Sequence, residues 1–148
     1  KVSELCEETA SLYRKSADWR RLCEQFGIGD KEHTPVKGLS GGERQRLFLV
    51  LSLIGQPELV FLDELTTGLD ARARRGVWKT LESLREQGLT IFLTSHIREE
   101  VEALCDEICI LKKGTPVFRG TVAEAKAQCG CERFEDAYLL LSDEEVDA

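Results

Sequence analysis

The sequence lacks several features that would each point to a particular class of protein. Its 148 residues have a formal net charge of −7, which argues against nucleic acid as an electrostatic partner. No apolar run approaches the roughly 20 residues that a membrane-spanning helix needs, and the longest, Leu47 to Ile54, is interrupted by Ser52. The chain begins at Lys1 and contains no methionine, which indicates a piece of a longer polypeptide.

Metal-binding and disulfide patterns are also missing, although the chain has six cysteines. None of them forms a C-x-x-C pair with matching histidines, so we do not expect a zinc site. Cys6 and Cys23 fall on the apolar stripes of predicted helices, and we expect free thiols, buried or semi-exposed, rather than a disulfide framework. A solvated tail is predicted for the acidic residues near the end of the chain: Asp143, Glu144, Glu145 and Asp147.

What is present is an alternation of helical and strand patterns, which is typical of a layered α/β fold with a largely parallel sheet. Residues 59–62 are all apolar, which predicts a central strand covered on both faces. Helices are predicted over 2–13 (with Leu12 and Tyr13 on its apolar face), 19–26, 41–54, 70–88, 95–104, 121–130 (with a capping box of Thr121 and Glu124) and 134–141. A further strand is predicted at 89–94, and a hairpin from 108–111 and 116–118 joined across Lys113-Gly114.

The glycine loop Ser40-Gly41-Gly42 is the first candidate site. Two glycines allow the backbone to approach a ligand closely, and the amides at the start of the following helix favour an anion. The serine hydroxyl adds a donor, and Glu43 completes a capping box with Ser40. These features together outline a phosphate receptor, and an ordinary capped helix start is the alternative.

A second candidate site lies where two predicted strands end. Asp63 and Glu64 follow the apolar run, at the carboxyl end of a strand where α/β sheets bind ligands. Asp63 can hold a hydrated magnesium ion, and Glu64 can orient and deprotonate an attacking water. His96, after the next strand, can donate a hydrogen bond to a terminal phosphate oxygen. The alternatives are helix or turn caps for the carboxylates and a structural role for the histidine.

Taken in order, these segments resemble the nucleotide-binding domains of ATP-binding-cassette (ABC) transporters. In this chain "LSGGERQRL" resembles the signature loop of that family, and "LVFLDE" resembles its Walker B strand. "TGLD" resembles the D-loop, and "TSHIREE" resembles the segment with the switch histidine. The segment "CDEICILKKGTPVFRGTVAE" resembles the trailing hairpin and helix, and the motif variants are most similar to ABC-2 type exporters. Leu65 stands where the family usually has proline, and Glu43 stands where glutamine is common.

The resemblance implies an α/β fold. The chain would contain part of a P-loop NTPase (RecA-like) core of the ABC ATPase type, together with an α-helical subdomain. Residues 1–55 would be the helical subdomain, ending in the signature loop and its helix. Residues 56–148 would be the C-terminal half of the core with the trailing hairpin and helices. No G-x-x-x-x-G-K-[ST] occurs in the chain, so we expect the Walker A cradle upstream of Lys1 and an inactive 148-residue chain.

By the same resemblance, two such domains meet head to tail and enclose two ATP molecules with magnesium. The signature loop would cover the nucleotide held by the second domain. Glu64 and His96 would be catalytic toward the nucleotide of their own domain, and Asp63 would hold Mg²⁺ through water. The cofactor-binding residues would then be Ser40, Gly41, Gly42, Glu43 and Asp70, the last reaching across the interface.

The implied function is the ATP-hydrolysing subunit of a transporter, more specifically an exporter. Its partners would be a second nucleotide-binding domain, identical or different, and a transmembrane permease, which places it in the cytoplasm at the inner face of the membrane. One alternative is a soluble ABC-type ATPase acting on ribosomes or DNA. Thr67-Gly68 and the lack of long coiled coils argue against it. The other is a non-catalytic interaction module, which the intact Asp63, Glu64 and His96 disfavour.

Overall fold

The structure, a computed structural model, describes residues 1–142, so the predicted acidic tail lies outside the described residues. The chain divides into two compact units, Lys1–Thr94 and Ser95–Ala148. This division follows the packing of the chain and differs from the boundary between residues 55 and 56 that the resemblance implies. That boundary concerns functional subdomains and stays a prediction.

The first unit contains four helices and two strands, all at or near the predicted places. Helix α1 ends before Leu12 and Tyr13, which were predicted to continue its apolar face; they are 78% and 47% exposed. The unit's elements are α1 (Val2–Ser11), α2 (Trp19–Gln25), two 3₁₀ turns (Gly29–Lys31 and Val36–Gly38), α3 (Gly41–Leu53), β1 (Leu59–Asp63), α4 (Ala71–Glu86) and β2 (Thr90–Thr94).

Side-chain oxygens cap three of these helices, because the first amides of a helix have no intrahelical acceptor. Asp18 Oδ1 accepts from the amide of Arg20 at 3.0 Å and thereby starts α2. Ser40 starts α3 and Asp70 starts α4 in the same way. The helices pack through buried apolar residues: Val2, Cys6, Leu22, Cys23, Phe26, Ile28, Leu47, Val50, Ile54, Val77 and Leu81.

Strands β1 and β2 pair in parallel, with Asp63 opposite Thr94 at the carboxyl end. The prediction that β1 is covered on both faces is wrong for the described chain. Val60 and Leu62 are buried, but Phe61 is 72% exposed, and its ring lies 5.3 Å from that of Phe92. A continuous apolar run indicates two buried faces only where a layer lies on each side, and the described part of this unit covers one face.

The second unit is built around the predicted hairpin, which is confirmed as an antiparallel pair. Lys113 and Gly114 form its turn, both at positive φ. Thr121 and Glu124 make the predicted capping box, with Thr121 N donating to Glu124 Oε2 at 2.7 Å. The elements are α5 (Arg98–Leu104), β3 (Ile108–Lys112), β4 (Thr115–Gly120), α6 (Val122–Cys129) and α7 (Phe134–Ser142), around a core of Ile108, Ile110, Phe118, Ala125 and Phe134.

Two further observations concern the whole described chain. The six cysteines are free thiols, and Cys6 and Cys23 are buried in the first unit. Among residues 1–142, no helix combines the length and the apolar character needed to cross a membrane.

Candidate functional site

The glycine loop forms a complete capping box at the start of α3. Glu43 N donates to Ser40 Oγ at 3.2 Å, and Ser40 N donates to Glu43 Oε2 at 2.8 Å. The first intrahelical bond runs from Arg44 N to Ser40 O at 2.9 Å, so the amides of Gly41 and Gly42 precede the helical ladder. The Ser40 hydroxyl still has its hydrogen to donate, either to the Glu43 carboxylate or to an external acceptor.

The two glycines of this loop have different surroundings. A Cβ atom added at Gly41 would meet no heavy atom within 4 Å, whereas one added at Gly42 would lie 2.8 Å from Leu69 Cδ2. Leu69 is buried and immediately precedes Asp70. The structure therefore brings the glycine loop and the predicted D-loop together through Gly42, and it leaves Gly41 open toward solvent.

Glu43 is part of an ion-pair network that no sequence motif predicts. Lys31 Nζ lies 3.2 Å from Glu43 Oε1 and 3.1 Å from Asp30 Oδ2. The pKa of Glu43 is lowered to about 2, first by the hydrogen bond from the Ser40 amide, then by the Ser40 hydroxyl and by Lys31. The pKa of Lys31 is raised by Asp30 and Glu43 in turn. Only the three-dimensional contact reveals this lysine, because it lies twelve positions before Glu43.

At the end of β1, the backbone of Glu64 is held by three hydrogen bonds. Its amide donates to Thr94 O at 3.0 Å, and its carbonyl accepts from Gln45 Nε2 and Thr67 N, both at 3.2 Å. Glu64 also has a φ of +46°, a conformation that costs a residue other than glycine about 1–3 kcal/mol. The neighbouring Asp63 Oδ1 accepts a hydrogen bond from the Thr94 hydroxyl. Both carboxylate residues are exposed.

Asp70 acts within its own unit as the cap of α4. Its Oδ1 accepts from the amides of Arg72 and Ala73, both at 2.9 Å. The pKa of Asp70 is lowered, mainly by the Ala73 amide and further by Arg46 and Arg72. Arg46 also donates to Gly42 O at 3.3 Å, a contact that no sequence motif predicts.

His96 lies in the second unit, on an exposed turn whose neighbours fix its backbone. Ser95 Oγ donates to Glu100 Oε2 at 2.5 Å and accepts from Ile97 N at 3.0 Å, while Glu100 is fully buried. The other predicted site residues lie in the first unit. The grouping of His96 with Glu64 comes from the resemblance and stays a prediction.

A helix start open at one glycine, next to a parallel strand that ends in two carboxylates, fits part of a P-loop type fold. Solved structures agree with this class. The ATP-binding subunit of an ABC transporter matches with a TM-score of 0.81 at 24% identity, over 95% of this chain and 61% of that one. An inward-facing putative metal-chelate type ABC transporter matches with a TM-score of 0.71 at 20% identity, over 84% and 53%.

Sequence comparisons then identify the family. The family model described as "ABC transporter" matches residues 2–67. The chain is 45% identical over 115 residues to the Nod factor export ATP-binding protein I of Rhizobium johnstonii, covering 77% of this chain and 37% of that protein. It is 43% identical over 114 residues to the daunorubicin resistance ATP-binding protein DrrA3 of Streptomyces coeruleorubidus, covering 77% and 36%. The chain belongs to the ABC transporter family, as the motifs predicted, and it spans just over a third of the length of these relatives.

Proposed function

We propose that this chain is the part of an exporter ATPase that supplies the signature loop, a magnesium-binding carboxylate, the general base and the switch histidine. The observation that carries this proposal is the backbone of Glu64, which three hydrogen bonds hold in an unfavourable conformation while its carboxylate is exposed. Such conformations persist where the surrounding structure determines them, and they cluster at functional sites. The names of the relatives support export.

The residues present fit magnesium ATP. Asp63 offers an exposed carboxylate at the end of a strand, and magnesium prefers such oxygen ligands while keeping several waters. The space at Gly41 and the amides of Gly41 and Gly42 suit a phosphate group. When bound, magnesium neutralises charge on the phosphate oxygens. The lysine-bearing cradle for the other phosphates would come from residues outside this chain.

In this proposal each residue has one task in hydrolysis. Glu64 orients a water molecule and accepts its proton at a carboxylate oxygen. His96 donates a hydrogen bond to the terminal phosphate of the nucleotide in its own domain. Ser40, Gly41 and Gly42 donate to the terminal phosphate of the nucleotide held by a second nucleotide-binding domain. Asp70 reaches across the interface between the two domains while it caps α4.

The proposed partners are this second domain, as a homodimer or heterodimer, and a membrane permease. The protein would then lie in the cytoplasm at the inner face of the membrane and use ATP hydrolysis to drive export. Its motion against the permease would couple the two processes, because closure of two domains around nucleotide is a hinge-type change that a bound ligand can drive.

Replacing the proposed base tests this function in the full-length protein. We expect Glu64→Gln to lower kcat for ATP hydrolysis by about 100-fold or more, the usual range for loss of a general base, while ATP binding is kept. Glu58→Gln, an exposed glutamate just before the start of β1, is the matched control and should hydrolyse ATP normally. Wild-type turnover by Glu64→Gln would remove Glu64 from this role.

A further inference from the structure

The signature loop of this chain carries a negative charge that its capping geometry does not need. A capping box works equally well with glutamine, because a neutral amide oxygen also accepts from the amide of the capping residue. Glu43 instead places a carboxylate in the first turn of α3, beside the amides of Gly41 and Gly42. In the proposed function these amides meet a phosphate, so an unpaired carboxylate at Glu43 would repel the group that the loop must approach.

Lys31 lies where it can offset this charge. The two oxygens of Glu43 have separate partners: Oε2 accepts from Ser40 N at 2.8 Å, and Oε1 lies 3.2 Å from Lys31 Nζ. The side chain of Glu43 is 21% exposed and that of Lys31 32%, so water screens this pair only in part. Asp30, the other partner of Lys31, is 71% exposed and is screened far more.

We infer that Lys31 is a positioning residue of the signature loop, which holds Glu43 against Ser40 and offsets its charge where the loop meets the terminal phosphate. This inference rests on the proposed function and names a residue outside the motifs that define it. It makes Lys31 and Glu43 a coupled pair: the lysine is needed only while position 43 carries a charge.

A double-mutant cycle in the full-length protein tests this coupling, with ATP hydrolysis measured across ATP concentrations. We expect Lys31→Met to raise KM for ATP about three- to fivefold, the effect of losing one partly exposed ion pair, with a smaller change in kcat. Lys31→Arg should keep the wild-type KM because it keeps the charge. Glu43→Gln gives the reference KM for an uncharged position 43, and Lys31→Met combined with Glu43→Gln should have the same KM as Glu43→Gln alone.

The matched control is Lys37→Met, which removes an exposed lysine from the neighbouring 3₁₀ turn and should leave KM unchanged. Thermal unfolding of each variant shows whether the fold is kept. If Lys31→Met has a wild-type KM, or if Glu43→Gln does not rescue it, the inference is wrong. Ser40→Ala and Glu64→Gln, measured alongside, distinguish a failure of the inference about Lys31 from a failure of the proposed function. Normal hydrolysis by both of these variants would overturn the proposed function.

Discussion

Gly41 and Gly42 are adjacent in the sequence, yet their surroundings differ. Gly42 lies against the buried Leu69, so its missing side chain allows the helix start and the loop before Asp70 to approach each other. Gly41 has open space around it, and nothing in its own unit excludes a side chain there. A requirement for glycine at position 41 would therefore come from a ligand that approaches from outside this unit, and the proposed phosphate is such a ligand.

Alanine substitutions separate these two requirements in the full-length protein. We expect Gly41→Ala to keep or raise the thermal unfolding midpoint, since alanine is favoured over glycine in helices by up to about 1 kcal/mol, and to slow ATP hydrolysis. Gly42→Ala should lower the free energy of unfolding by about 1–3 kcal/mol, the usual effect of overpacking. Calorimetry and phosphate release measure both quantities. Full hydrolysis by Gly41→Ala would show that no ligand approaches this glycine.

Short-range patterns allowed the helices and their caps to be predicted from the sequence. Both capping boxes join residues three positions apart, Ser40 with Glu43 and Thr121 with Glu124, and both are present. The hairpin followed equally from its turn at residues 113–114. Such features depend on local chain geometry, which the order of residue types determines.

The contacts that build the candidate site could not be predicted from the sequence, because they join residues far apart in the chain. Gln45 donates a hydrogen bond to the carbonyl of Glu64, and Lys31 forms an ion pair with Glu43. No short-range sequence pattern predicts either contact. The exposure of Phe61 was also mispredicted, because the apolar pattern of a strand cannot tell how many layers cover it. The motifs predict the reacting residues, and the tertiary structure adds the contacts around them that no local pattern indicates.

The capping box of α3 should respond to acid through Glu43. Its pKa is lowered from 4.5 to about 2 in the folded chain, so its contribution to stability is complete above about pH 5.5 and is lost as the pH falls toward 2. Carboxyl NMR should show Glu43 titrating near the lower value, and Lys31→Met should raise that pKa because one stabilising charge is gone. The unfolding free energy of Glu43→Gln should fall less steeply below pH 4.5 than that of the wild type. A Glu43 that titrates at its ordinary value would contradict the capping hydrogen bonds from Ser40 together with the ion pair, and an unchanged pKa in Lys31→Met would contradict the ion pair alone.

For the molecule as a whole, the 148 residues contain the signature loop and the carboxylates but no lysine-bearing phosphate loop. We therefore expect the purified chain to show no ATP hydrolysis, because the proposed base has no bound nucleotide to act on. Phosphate release with and without Glu64→Gln distinguishes real turnover from a contaminating ATPase. Turnover by the chain that Glu64→Gln abolishes would contradict this prediction.

The β1–β2 pair also predicts how the chain behaves in solution. Within the described residues each strand pairs only with the other, so each has an edge with unpaired backbone groups, and Phe61 and Phe92 are exposed on one face. Open edges and adjoining apolar side chains favour strand addition and association.

We expect the purified chain to self-associate with rising concentration in sedimentation, and the double substitution Phe61→Ser and Phe92→Ser to weaken this association. Leu111→Ser, at a 58% exposed position of β3, is the matched control and should associate like the wild type. A chain that stays monomeric at every concentration would contradict this prediction, because it would show that both the apolar face and the strand edges are protected from association.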